Sequence, residues 1–188
     1  MPAPIKKINP KFTYQEYQAW PDNERWEIID GEAYAMTPAP NIAHQRITRN
    51  LSRIVFNHFR TLPCEPFAAP TDVVLDDTNI VQPDLFIVCD RNKITDANIC
   101  GVPDLVMEVV SPASRLKDKR EKKNLYERFG VREYLLVYPE DELVERYHLF
   151  EGRYVSDVFG WDEKLQLLTF PELVIDLLEV FDKELVEE

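Results

Sequence analysis

Asp104-Leu-Val-Met-Glu-Val-Val110 decides how this chain is read. The run has the length and β-branched content of a strand and lacks polar alternation, so it predicts a strand covered on both faces. Glu108 then stands where a core strand would carry another aliphatic residue. An ionised carboxylate left unpaired there costs several kcal/mol even after relaxation, so the position calls for a partner. A second apolar run, Pro83-Asp84-Leu-Phe-Ile-Val-Cys89, opens on another carboxylate. Two acids on neighbouring buried strands are expected to hold a divalent cation between them.

Ser111-Pro112 stops the Glu108 strand, and the periodicity predicts a helix from there to Phe129, closed by Gly130. Lys122, Leu125, Tyr126 and Phe129 fall on one face of it, with Asp118 one turn earlier. Taken alone, Asp118 and Lys122 make an ordinary surface pair. Beside Glu108, the same face delivers an amine to the acidic pair. Mg²⁺ prefers oxygen ligands and retains several waters, so Asp84, Glu108 and the Val109 carbonyl suffice to hold it, with Mn²⁺ as a substitute. Lys122 is then the cation that positions water and offsets charge in hydrolysis of a phosphodiester.

Further upstream, Thr13 and Glu16 form a capping box for a short helix ending near Trp20. Trp26 to Met36 reads as a hairpin turning at Asp30-Gly31. Ile47, Leu51, Ile54, Val55 and Phe59 recur at helical spacing between Ile42 and Arg60. Residues 1–11 are expected to be an extended arm and 12–188 a single domain. Pro63 to Pro70 reads as irregular, Thr71–Leu75 as a strand, and Asp90 to Pro103 as a surface connection. Glu133–Tyr138 follows the helix as a strand, making a strand–helix–strand unit. A hairpin around Glu151-Gly152, a short strand near Leu165 and a terminal helix from Pro171 to about Asp182 complete the chain. Phe56, Phe59, Phe129, Tyr134 and Tyr138 are assigned to the core.

Bulk composition bounds the rest. The chain has 188 residues, 45% of them hydrophobic, which suits one folded domain. It contains no apolar run long enough for a membrane span and no signal-like N-terminus. Three cysteines without metal-type spacing read as reduced thiols in a cytoplasm. A net charge of −12 argues against non-specific coating of nucleic acid. A local basic strip, Arg115 to Lys123, lies next to the proposed site.

Pro83-Asp84, then Glu108-Val-Val-Ser-Pro112, then Asp118-x3-Lys122-x3-Tyr126-x3-Gly130-Val-x-Glu133-Tyr134 resembles the Uma2 family, a branch of the restriction-endonuclease-like PD-(D/E)XK superfamily. Glu27-Ile-Ile-Asp-Gly-Glu32 and Met36-Thr-Pro-x5-His44-x2-Ile47 extend the likeness to about residues 12–150. It implies an α/β fold with a mixed central sheet flanked by helices, and a Mg²⁺-dependent DNA endonuclease that leaves 5′-phosphate and 3′-hydroxyl ends. Asp84 and Glu108 are then the metal ligands. The superfamily's usual lysine, two residues after the glutamate, is Val110 here, and the role passes to Lys122. Glu32, His44, Gln45, Asp118 and Tyr126 are auxiliary candidates. A homodimer would present one site to each DNA strand. The rival readings are a nuclease-fold interaction module with weak or lost catalysis, and a phosphodiesterase acting on another nucleic acid.

Overall fold

The computed structural model describes residues 11–21, 24–36 and 41–184, so nearly all of the expected N-terminal arm lies outside the described residues. Its centre is a six-stranded sheet. The strands are β3 (Glu65–Ala68), β6 (Leu85–Val88), β8 (Leu105–Val109), β9 (Glu133–Tyr138), β10 (Leu143–Phe150) and β11 (Arg153–Gly160), in the order β11-β10-β9-β8-β6-β3. β8 and β9 are parallel, and the other neighbours are antiparallel. Every residue of β6, β8 and β9 is buried, as the absence of alternation predicts.

Both faces of that sheet are covered, and by different material. Leu105, Met107 and Val109 pack on one side with Ile47, Leu51, Val55 and Phe59 of α2 (Ile42–Phe59). Val106 and Val110 point the other way, with Phe86, Val88, Tyr134, Leu136, Leu125 and Tyr126. Strand period two therefore sends Glu108 to this second side.

A second sheet, not foreseen as separate, contributes to that layer. It comprises β1 (Trp26–Ile29), β2 (Glu32–Ala35), β4 (Val73–Asp76), β5 (Asn79–Val81) and β7 (Ile99–Cys100), ordered β2-β1-β5-β4-β7. Asp30 and Gly31 both have positive φ, 52° and 78°, as a two-residue hairpin turn with native strand twist requires. The capping box at Thr13 and Glu16 is present on α1 (Tyr14–Tyr17), and Asn41 caps α2 by accepting from the His44 N–H. Gly130 ends α3 (Lys123–Phe129) at φ 80°.

Several expectations need correction. The expected helix from residue 112 contains a π turn at Lys117–Lys122, where the Lys123 N–H reaches back to the Asp118 carbonyl. The terminal helix shrinks to α4 (Leu177–Val180). Val174–Asp176 instead forms β13, paired with β12 (Lys164–Gln166), in keeping with the β-branched Val174 and Ile175. The stretch read as irregular, 63–70, contains β3, and 90–103 carries a 3₁₀ turn and β7. Phe56 is exposed and not core. Cys64 and Cys89 form a disulfide, which overturns the expectation of three reduced thiols and removes that argument for a reducing compartment. The cause is strand pairing: Glu65 lies opposite Val88 in the β3–β6 ladder, so the flanking cysteines meet at its end. Cys100 remains free.

Candidate functional site

The site grows out of the β6–β8 ladder. Leu85 lies opposite Met107 in an antiparallel register, and continuing it by one pair sets Asp84 opposite Glu108. Glu108 belongs to the face that looks toward the second sheet, and Asp84 sits at the end of the ladder, in reach of α2. Asp84 is tied down through Oδ2, which accepts from the Val109 N–H at 2.8 Å and lies 3.2 Å from His44 Nε2. A carboxylate oxygen can only accept, so His44 Nε2 carries the hydrogen. Glu108 accepts through Oε1, from Lys122 Nζ at 2.7 Å and the Tyr126 hydroxyl at 3.3 Å. Among the described residues, Asp84 Oδ1 and Glu108 Oε2 accept no hydrogen bond.

Lys122 is 2% exposed and is held by two carboxylates, with Glu27 Oε1 at 2.6 Å in addition to Glu108. Asp118 Oδ1 lies farther off, at 3.9 Å. Glu27 comes from β1, is fully buried, and also binds Lys117 Nζ and the Gln82 N–H. Sequence periodicity missed Lys117 for a definable reason. In an α-helix, residues five apart point about 140° away from each other. The π turn closes that angle and lets Lys117 and Lys122 reach the same carboxylate. The Tyr134 hydroxyl donates to the Asp118 carbonyl within this widened turn, at 3.2 Å.

The electrostatics follow from burial set against charge. Desolvation alone would raise the Glu27 carboxyl, but the ammonium groups of Lys117 and Lys122 outweigh it and hold it down at about 2. Desolvation pushes Glu108 well above its usual range. Lys122 opposes that rise, while Asp118, Asp84 and Glu27 add to it. Burial would lower Lys122, yet the carboxylates of Glu108 and Glu27 carry it well above the usual lysine value. These shifts pull in opposite senses on one contact, because a protonated Glu108 would not hold an ammonium. We favour the ionised pair, since Glu27 alone is sufficient to keep Lys122 charged at 2.6 Å. Fully ionised, Glu27, Asp84, Glu108 and Asp118 carry two more charges than Lys117 and Lys122 supply. That surplus adds to the effect of burial on Glu108.

These groups open into a cavity of about 250 Å³. His44, Gln45, Asp84, Glu108, Val109, Asp118 and Lys122 all line it, together with Arg25, Gln82, Ser114 and Lys117, which sequence reasoning did not select. Two candidates stand apart from the cavity wall. Tyr126 is wholly buried behind Glu108, and Glu32 lies along β2, where it accepts from the Tyr34 hydroxyl at 3.0 Å. Most of the basic strip is occupied, although exposed Arg120 has no side-chain partner among the described residues. Arg115 pairs with Asp141, Lys119 with Glu145, and Lys117 and Lys122 with the buried acids, while Lys123 lies over the Tyr147 ring. No three His, Cys, Asp or Glu side chains among the described residues converge as a cation cage, so a cation here would rely on two carboxylates plus carbonyl and water. No helix among them is long and apolar enough to cross a membrane.

Comparison with known proteins relates the chain to a family, a sequence relative and solved structures. The profile of the Uma2 family, described as "Putative restriction endonuclease", matches residues 14–178. The uncharacterized protein slr1290 of Synechocystis sp. is 30% identical over 150 residues, covering 78% of this chain and 76% of that one. The crystal structure of a "putative nuclease belonging to DUF820" from Anabaena variabilis superposes with a TM-score of 0.76. It does so at 18% identity, over 91% of this chain and 98% of that one, a likeness of fold.

Proposed function

The chain belongs to the Uma2 family, and from that premise we propose that it is a divalent-cation-dependent endonuclease that hydrolyses phosphodiester bonds of DNA. The observation that carries this reading is the convergence of Asp84, Glu108 and Lys122 on one cavity, with Lys122 Nζ 2.7 Å from Glu108 Oε1.

The donor set suits a hard cation. Two carboxylates lie at the end of adjacent strands, each with one oxygen that no protein group among the described residues occupies, inside a cluster with more carboxyl groups than ammonium groups. Asp84 and Glu108 would hold Mg²⁺ or Mn²⁺, and the Val109 carbonyl is the candidate third ligand. Such an ion, when bound, offsets charge on the phosphate and makes a nearby water more acidic. The protein's own groups do the rest. His44 and the Val109 N–H fix the rotation of the Asp84 carboxylate, so its other oxygen has one direction available. Lys122, raised by Glu108 and Glu27, stays an ammonium at neutral pH and therefore donates; it orients water and offsets charge developing on the phosphate instead of accepting a proton. Glu27 and Tyr126 hold Lys122 and Glu108 from behind. Water attack would leave 5′-phosphate and 3′-hydroxyl ends, and pairing of two copies would give each strand its own site.

The test is cleavage of supercoiled, linear and single-stranded DNA under Mg²⁺ and Mn²⁺ by wild type, Asp84→Asn and Glu108→Gln. Both variants are expected to lose activity while keeping the wild-type circular dichroism spectrum. Undiminished cleavage by either one would sink the assignment.

A further inference from the structure

We infer that Arg25, at the rim of the cavity, is a binding site for a second backbone phosphate of the substrate strand, distinct from the phosphate at the acidic pair. The inference rests on the nuclease reading above and names how that site grips its substrate.

Arg25 is exposed and lines the same cavity as Asp84, Glu108 and Lys122. In a chain with 34 acidic residues against 22 basic ones, several exposed arginines settle on a carboxylate, Arg115, Arg128 and Arg132 among them, whereas Arg46, Arg60, Arg91 and Arg120 have no such partner among the described residues and lie away from the cavity wall. Arg25 instead donates its Nε and Nη2 hydrogens to one neutral acceptor, Gln82 Oε1, at 3.0 and 2.7 Å. Among the described residues it forms no ion pair.

Gln82 is buried, and its orientation is fixed by chemistry. Its Nε2 donates to Asp72 Oδ1 at 2.8 Å and to the Tyr17 hydroxyl at 3.3 Å, and its backbone N–H donates to Glu27 Oε1 at 3.0 Å. A flipped amide would aim NH₂ at a guanidinium and oxygen at a carboxylate, so Oε1 must face Arg25. The same Glu27 that gathers Lys117 and Lys122 thus also anchors the residue that holds Arg25.

Such an arrangement keeps a guanidinium in place without neutralising it. Two of its five N–H donors are used, and three remain, in the fork geometry that suits a phosphate oxygen pair. Lys117 and Lys122 cannot grip a second phosphate at the rim, since both are buried and held by carboxylates. Lys122 is committed to the phosphate at the acidic pair, and Arg25 is the exposed cation of the cavity wall that no carboxylate among the described residues holds, which leaves it for a second phosphate. A phosphodiester strand whose scissile phosphate lay at Asp84 and Glu108 would offer a neighbouring phosphate to it.

The experiment compares wild type, Arg25→Gln and Arg25→Lys on one labelled duplex across a KCl series. It reads kcat and KM under Mg²⁺ and fluorescence anisotropy with the cation omitted. For Arg25→Gln we expect KM to rise about tenfold, in line with the loss of one charge-assisted contact. Its kcat should stay within about twofold, and its log–log salt dependence of affinity should flatten by about one. Arg25→Lys should keep the salt slope but recover only part of the affinity, because it has the charge without the fork. Cleavage by Arg25→Gln with unchanged KM and unchanged salt slope overturns the inference. DNA bound without cleavage by the wild type sinks the nuclease reading and leaves Arg25 to be judged by anisotropy alone. A wild type that neither binds nor cleaves overturns both.

Discussion

Glu27→Gln is the perturbation that tests the electrostatic core most directly. Glu27 is completely buried and holds two ammonium groups, one on each oxygen. After substitution Lys122 still has Glu108 at 2.7 Å. Lys117, 8% exposed, would have no carboxylate left in contact among the described residues. Removing one member of a buried pair typically costs about 3–5 kcal/mol, because the remaining charge stays desolvated. For a chain of this size that corresponds to roughly 6–20 °C in Tm. Urea unfolding followed by tryptophan fluorescence is a suitable assay, since Trp26 is the neighbour of Glu27 and is itself nearly buried. The midpoint should fall with the slope unchanged. The double variant Glu27→Gln/Lys117→Met should recover at least half of the loss, since removing both partners leaves no orphaned charge. A single-variant loss under about 1 kcal/mol, the range of an exposed ion pair, would refute the reasoning.

Acid should expose the same residue. Glu27 is held near 2 against an ordinary 4.5, so its contribution is present above about pH 4.5 and is lost as pH falls toward 2, on the order of 3 kcal/mol in all. Urea midpoints measured between pH 6 and pH 3 should decline more steeply in wild type than in Glu27→Gln; parallel curves would contradict this. Reducing the Cys64–Cys89 disulfide, which spans 25 residues, should cost about 3–4 kcal/mol on chain-entropy grounds. Thermal melts with and without dithiothreitol read that out, and coincident melts would count against it.

What was legible in the sequence was whatever depended on local pattern. β6, β8 and β9 announced themselves by unbroken apolar runs, and Glu108 by interrupting one of them. The α2 cap and the Asp30-Gly31 turn were readable because their residue types meet local backbone demands. The missed features are all non-local. Trp26-Glu-Ile-Ile29 looks like half of an exposed hairpin until the second sheet is seen to share a core with the first, which buries the Glu27 side chain. Cys64 and Cys89 meet because β3 pairs with β6 across a 25-residue gap, and no spacing rule reports that. Lys117 was hidden by the assumption of 3.6 residues per turn, and Gln82 by having no ionisable group. The basic strip was legible as composition and misleading as surface, since the acids that occupy it come from β1, β8, β10 and the turn after β9.

The π turn at Lys117–Lys122 makes chain length, not residue identity, the variable that decides how many amines meet Glu27. A π turn holds one residue more than an α turn needs, so the coil before it and the coil after it run out of phase. Deleting a single residue there would restore regular backbone bonding and swing Lys117 toward solvent, even with every side chain named above retained. A sequence comparison that scored only matching letters would not register that loss.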